Sequence, residues 1–234
     1  MMKITFTWDD GAPEDKKLFE LHEKHGIHGL FFVPNKNCEG KEVLTPQEIA
    51  TAAKSPLLHF GGHTTSHRYL TTVPILDVEK ELLDNKHYLE DIVGEEVPHF
   101  CLPGGKYTTE ILDIAFQCFQ TVRTADTMNF QNKGLLLKPT FHFYPRGKKS
   151  MLANALRNHS YGPLIKTLFA SGDYFNTIYQ LFEYTQRNIP NSQIVIWGHS
   201  WEIEELGMWK QLDSLMAFIA ENYEKECVDY DSFF

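Results

Sequence analysis

No apolar run in the 234 residues reaches the length of a membrane span, so the sequence contains no transmembrane helix. The first residues, Met-Met-Lys-Ile-Thr-Phe-Thr-Trp-Asp-Asp, also lack the hydrophobic stretch of a signal peptide, and the expected location is the cytoplasm. Cysteine is scarce. Cys38, Cys101, Cys118 and Cys227 lie far apart, form no Cys-x-x-Cys pair, and are expected to be buried free thiols, which excludes zinc-finger and dithiol motifs. Basic residues are outnumbered, with 22 Lys and Arg against 31 Asp and Glu, for a net charge of −9. A chain of that sign is not expected to bind nucleic acid or to insert into a membrane, and small or neutral ligands suit it better. There is no internal repeat and no low-complexity segment. With 42% hydrophobic residues, a packed core and a single domain over 1–234 are expected.

What is present alternates. Short apolar runs rich in β-branched and aromatic residues fall at Lys3 to Trp8, Gly29 to Val33, Leu57 to Phe60, His99 to Leu102, Thr121 to Thr124, Leu135 to Leu137 and Gln193 to Trp197. Helix-like stretches lie between them, at Pro13 to His25, Pro46 to Lys54, Ile75 to Val93, Thr108 to Phe119, Phe175 to Asn188 and Leu206 to Lys225. Strands alternating with helices in this way predict an α/β fold built of βα units around a parallel sheet. In the helix from Ile75, Leu76, Glu79, Leu83, Lys86 and Tyr88 form an amphipathic stripe that ends at Gly94.

Four segments at predicted strand ends carry chemistry. Trp8-Asp9-Asp10-Gly11 places two carboxylates after the first strand, at the end where βα folds build active sites. In His63-Thr-Thr-Ser-His67, two imidazoles four residues apart share a face if the segment turns helically. Together with Asp10 they form a two-histidine, one-carboxylate set, which leaves coordination positions open for water, as in catalytic rather than structural zinc sites. Phe100-Cys-Leu-Pro-Gly-Gly-Lys106 combines a fixed turn with glycines whose N–H groups can serve as oxyanion donors. In Gln193-Ile-Val-Ile-Trp-Gly-His199-Ser-Trp-Glu202 an apolar strand ends in a histidine flanked by two tryptophans, and such a histidine can act as a general acid.

In this order the four segments resemble the motifs of the polysaccharide deacetylase family, also called the NodB-homology domain or carbohydrate esterase family four. Thr7-Trp8-Asp9-Asp10-Gly11 is similar to its Thr-Phe-Asp-Asp-Gly motif, His63-Thr-Thr-Ser-His67 to its His-Ser/Thr-x-x-His, Pro103-Gly104-Gly105 to the end of Arg-x-Pro-x-Gly, and Trp197-Gly198-His199 to Leu-x-His. The resemblance implies a distorted (β/α)7 barrel and a metal-dependent hydrolase that deacetylates an N-acetylated sugar or glycan precursor. It implies a divalent ion, Zn2+ or similar, on Asp10, His63 and His67, with Asp9 as general base and His199 as general acid. By the same resemblance Gly104 N–H stabilises the oxyanion and Trp197 lines the acetyl pocket.

The chain departs from that pattern twice. Cys101 stands where the third motif has an arginine that orients the catalytic aspartate, and Arg123 on the next strand is the expected replacement. Asp126-Thr-Met-Asn-Phe130 looks like a degraded fourth motif, which makes Asp126 the expected partner of His199. Three other functions fit parts of the pattern: a non-haem iron oxygenase, which shares the two-histidine, one-carboxylate set, a non-catalytic sugar-binding relative, and a hydrolase of small cyclic amides. Asp9 beside Asp10 argues against the first, and Asp9, both histidines and His199 together argue against the second.

One stretch, Thr127 to Gly172, contains no acidic residue but carries Lys133, Lys138, Arg146, Lys148, Lys149, Arg157 and Lys166. It is expected to be a basic, solvated insertion of mixed loops. Within it Arg146, Lys148 and Lys149 are candidates to contact a substrate phosphate, beside the aromatic run Phe141-His142-Phe143-Tyr144-Pro145.

Overall fold

A computed structural model describes all 234 residues. Eight strands are all parallel: β1 (Lys3–Asp9), β2 (Gly29–Val33), β3 (Leu58–Gly62), β4 (His99–Cys101), β5 (Thr121–Arg123), β6 (Leu136–Leu137), β7 (Phe141–His142) and β8 (Gln193–Gly198). Their order across the sheet is β6-β5-β4-β3-β2-β1-β8-β7, and the sheet curls into a distorted (β/α)7-type barrel with β6 and β7 at its edges. Because helices cover the outer face, the strands read as continuous apolar runs: Gly29 to Val33 is buried at every position.

Period-two alternation decides which side chains enter the barrel. On β1, Ile4, Phe6 and Trp8 join the large core between sheet and helices, which leaves Thr5, Thr7 and Asp9 on the other face. Leu30, Phe32, Cys101, Leu137 and Val195 form a second, inner cluster, closed below by Tyr230 and Phe233 of the C-terminal tail. Asp9, Cys101 and Arg123 therefore belong to the interior of the barrel.

The helices are α1 (Asp15–His25), α2 (Pro46–Ala52), α3 (Ile75–Val93), α4 (Thr109–Cys118), α5 (Lys148–Arg157), α6 (Tyr161–Phe169), α7 (Tyr174–Asn188), α8 (Ser200–Leu206) and α9 (Trp209–Tyr223). Local signals set several ends. Thr45 and Glu48 make a reciprocal capping box on α2 with Pro46 inside, Asp173 caps α7, and α3 stops at left-handed Gly94.

The structure corrects four expectations. The predicted helix from Leu206 begins at Trp209, and a separate helix that was not predicted, Ser200–Leu206, ends before it at Gly207, whose φ is 63°. The stripe that α3 buries is Val78, Leu82, Asn85 and Leu89, while Leu76 projects into solvent. That rotation lets the Asn85 amide donate to the Val33 carbonyl and to Asn35 Oδ1 and accept from His63 N–H. The basic stretch is not mixed loops, since it supplies β6, β7, α5 and α6. Within its aromatic run Phe141 and Phe143 are fully buried in the core. All four cysteines are free, but Cys38 is exposed and Cys227 half-buried.

Candidate active site

β1 delivers two adjacent carboxylates to different places because the backbone turns between them. Asp9 ends the strand facing inward, whereas Asp10 takes a left-handed φ of 79°. Asp10 then meets the histidines: its Oδ1 lies 3.4 Å from His63 Nε2 and 2.9 Å from His67 Nε2. Trp201 Nε1–H donates to the other oxygen, Oδ2, at 2.9 Å. Burial alone would raise the Asp10 pKa, but the hydrogen bonds from His63 and His67 outweigh it and hold the group well below the carboxylate range.

The two histidines do not sit on a helical turn as expected. They sit on a loop after β3 in which Thr64 and His67 have φ of 67° and 56°. That loop is pinned by α3, with Ser66 Oγ donating to the Glu81 carboxylate at 2.9 Å and Asn85 Oδ1 accepting from His63 N–H at 2.7 Å.

This donor set suits a divalent cation. Asp10, His63 and His67 offer ligand atoms that all lie within 4.8 Å of one another. His63 Nδ1–H donates to the Cys101 carbonyl at 2.8 Å, which leaves Nε2 with its lone pair toward the cluster, as a metal-ligating histidine requires. His67 differs, because the Asn37 amide donates to its Nδ1 at 3.3 Å while Asn37 Oδ1 accepts from Glu39 N–H. The proton of the neutral His67 ring is thus on Nε2, and holding a cation there would take the other tautomer, with the proton on Nδ1. A second set, Asp9, His63 and Cys101, also converges, but burial pushes the Cys101 thiol up and keeps it from being a thiolate ligand.

Asp9 is held by the barrel interior. Arg123, fully buried, pairs with its Oδ1, and Cys101 S–H donates to Oδ2 at 3.5 Å. Arg123 also donates to Cys101 Sγ at 2.9 Å and to the Thr124 carbonyl at 3.0 Å. Its guanidinium lies between the rings of Phe32 and Trp197, 5.2 and 5.0 Å from their centroids. Cys101 and Arg123 are register partners on β4 and β5, so the cation absent at one position enters from the adjacent strand.

On the other side of Asp10, His199 Nε2 lies 3.9 Å from Oδ2. The carboxylate that holds the other ring nitrogen is not Asp126 but Glu202, whose Oε2 accepts from His199 Nδ1–H at 2.7 Å. Asp126 lies instead at the surface, 3.9 Å from Lys138 and 3.6 Å from Arg157. Burial disfavours the charged imidazole of His199, but the Glu202 hydrogen bond, with Asp10 and Asp9 nearby, raises its pKa to about 9.

Glu202 Oε2 also accepts from His142 Nε2–H at 2.8 Å, and Arg146 donates to His142 Nδ1 at 2.9 Å, which fixes the neutral tautomer. His142 stacks on Trp197 with ring centroids 3.9 Å apart. Trp197 is buried, its Nε1–H has no partner, and it borders a cavity of about 200 Å³ with His142, Arg146, Met128 and Tyr174. A wider cleft of about 360 Å³ opens over Asp10 between Trp201, Asn37 and Lys41.

Gly104 has φ 61°, and a Cβ there would come within 2.5 Å of the Tyr69 ring, so both conformation and contact call for glycine. Gly105 N–H is spent inside the turn on the Leu102 carbonyl. Of the three proposed phosphate contacts, Arg146 borders the smaller cavity, Lys148 is turned to the Ala170 carbonyl, and Lys149 is exposed.

Sequence reasoning missed Glu202, His142, Trp201 and Tyr69. Glu202 and Trp201 lay within the quoted segment after His199, and the i+3 spacing of Glu202 was the available signal. His142 had none, being one histidine in an aromatic run.

With this geometry in hand, comparisons place the chain among known proteins. The family profile described as "Polysaccharide deacetylase" matches residues 2–122, more than half of the chain. Among solved structures, a polysaccharide deacetylase from Bacillus cereus is 22% identical with a TM-score of 0.51, over 58% of this chain and 46% of that one. The chain thus spans about half the length of that relative. A family 4 acetyl xylan esterase from Clostridium thermocellum, in complex with a cobalt ion, is 13% identical with a TM-score of 0.58, over 100% of this chain and 90% of that one. A peptidoglycan N-acetylglucosamine deacetylase is 15% identical with a TM-score of 0.57, over 99% and 87% of the two chains. Comparison with curated proteins by sequence returns no match. On the strength of the matched profile, the chain belongs to the polysaccharide deacetylase family.

Proposed function

We propose that the chain is a single-domain, divalent-metal-dependent N-deacetylase acting on an N-acetylated sugar in a glycan precursor. One observation carries the reading: Asp10, His63 and His67 converge within 4.8 Å, with Asp9 and His199 nearby. Asp10, His63 and His67 hold the ion, with zinc the expected one. When bound, the ion supplies Lewis-acid chemistry, polarising the amide carbonyl and acidifying water.

The chain's own residues do the rest. Asp9 takes the proton from the attacking water, and Arg123 with Cys101 holds its carboxylate in place. Gly104 N–H donates to the carbonyl oxygen as negative charge develops. Glu202 holds His199 by Nδ1, so that Nε2–H is presented to the departing amine. Trp197 lines the acetyl pocket, and exposed Arg146 at the rim of the same cavity contacts a phosphate on the substrate.

The absence of any disulfide supports a cytoplasmic site of action on precursors rather than on finished polymer. The test is acetate release from N-acetylated sugars, free and phosphate-linked, by protein loaded with zinc or cobalt and by protein stripped with chelator. Metal-dependent release is expected, faster on the phosphate-linked substrate. Binding of these sugars without acetate release under any metal would favour the non-catalytic relative.

A further inference from the structure

α6 packs against α5 and α7, burying Pro163 and Thr167, yet the face it turns to solvent is the apolar one. Tyr161, Ile165, Leu168 and Phe169 are 56, 56, 55 and 77% exposed. At 3.6 residues per turn they fall within an arc of roughly 100°, so they form one stripe rather than scattered side chains. Leu156 at the end of α5 adds another side chain, 58% exposed. Soluble chains do not ordinarily leave five large apolar side chains of one helical hairpin in water unless something covers them.

The charge around the stripe selects what covers it. Thr127 to Gly172 contains none of the chain's 31 carboxylates, while Lys148, Lys149, Arg157 and Lys166 lie on the two helices themselves. A second copy of this chain is disfavoured, because a symmetric contact through this face would set cations against cations. An anionic bilayer surface satisfies both features: the apolar stripe enters the boundary between headgroups and acyl chains, Tyr161 sits at headgroup level, and Lys149 and Lys166, which are not paired within the chain as Lys148 and Arg157 are, meet lipid phosphates.

We propose that the α5–α6 hairpin docks this protein peripherally on membranes rich in anionic phospholipid. The remainder of the chain is strongly acidic and is repelled by such a surface, so the same charges orient the molecule hairpin-down. Net charge alone had argued against this partner; the segregation of charge reverses that conclusion locally. The inference rests on the exposed surface and stands whatever reaction the barrel performs.

The test is co-sedimentation of the full chain with phosphatidylcholine vesicles, pure or containing about a third phosphatidylglycerol. Binding is expected only to the anionic vesicles and is expected to weaken as salt is raised. Ile165→Glu/Phe169→Glu should reduce binding at least about tenfold, and Lys149→Gln/Lys166→Gln should reduce it by roughly fivefold per charge. All four positions are at the surface, so thermal melts and metal content should match the parent. No binding to anionic vesicles, or equal binding to neutral ones, overturns the proposal. So does a dimer in sedimentation velocity that Ile165→Glu/Phe169→Glu dissolves, since the face would then be covered by a second copy.

Discussion

The pairing of Arg123 with Asp9 lends itself to a double-mutant cycle. The Arg123 side chain is 0% exposed and that of Asp9 6%, so neither charge has water to fall back on if its partner is removed. Breaking one side of such a buried pair costs about 3 to 5 kcal/mol. Arg123→Met keeps volume between the rings of Phe32 and Trp197 and leaves the Asp9 carboxylate with only the Cys101 thiol. Asp9→Asn leaves the guanidinium with the Thr124 carbonyl, Cys101 Sγ and two aromatic faces. Against a total stability of about 5 to 15 kcal/mol, either change is severe. At about 2 to 4 °C per kcal/mol, Tm should fall by roughly 6 to 20 °C. The double variant buries no orphaned charge and should be more stable than the sum of the singles predicts, by about 1 to 3 kcal/mol. Urea unfolding of the four proteins measures this directly. Additivity within about 0.5 kcal/mol would show that the two groups do not depend on each other, and the case for Arg123 as the aspartate's support would fall with it.

Elemental analysis should find about one divalent ion per chain, lost in His63→Ala and in His67→Ala because three ligands are the minimum for such a site. Asp9→Asn should retain the ion while losing most acetate release, whereas Asp10→Asn should bind it weakly. Glu202→Gln should lower kcat by about 10² to 10⁴ with little change in KM, as expected for a misdirected general acid, while Asp126→Asn should stay near the parent; the reverse ranking would restore Asp126 as the partner of His199. His22, buried beneath Trp8, accepts the indole N–H at 2.7 Å, and burial lowers its pKa to about 4. Below an unfolded value of about 6.5 the unfolded chain therefore binds a proton that the folded chain refuses. Stability should fall as pH drops from about 6.5 to 4, by up to about 3 kcal/mol from this group, and His22→Gln should flatten that slope in denaturant titrations at each pH.

The strands were legible because a parallel sheet covered on both faces demands unbroken apolar runs, and Gly29 to Val33 or Gln193 to Gly198 can do nothing else. β7 was missed because its two paired residues, Phe141 and His142, lie inside an aromatic run read for ligand contacts rather than for pairing. The hairpin of α5 and α6 was hidden for a physical reason of its own. Its polar and apolar residues are arranged against the usual inside-out pattern, with Thr167 buried and Phe169 exposed, so the 3.6-period stripe of α6 marks the face turned to solvent rather than the face that packs. That inversion is what gives the hairpin its meaning as a surface.

The site divides along a different line. Asp9, Asp10, His63 and His199 were legible because each stands at a strand end, where position along the chain nearly determines position in space, and His67 follows His63 on the loop after β3. Their supports were harder, because a supporting group need only reach the right point and can start from many places. Cys101 and Arg123 illustrate this: they are register partners, so moving the cation from β4 to β5 carries it sideways by one strand spacing, a gap an arginine spans without strain. Glu202 likewise reaches His199 from the first turn of α8, one helical turn along the same chain, where the degraded fourth motif would have reached across from another loop. Both replacements set a charge against the Asp9 carboxylate and the His199 ring while abandoning the sequence positions that the resemblance led us to expect. A departure from a motif therefore argues for lost activity only when no neighbouring strand or turn supplies the missing charge, and here both do.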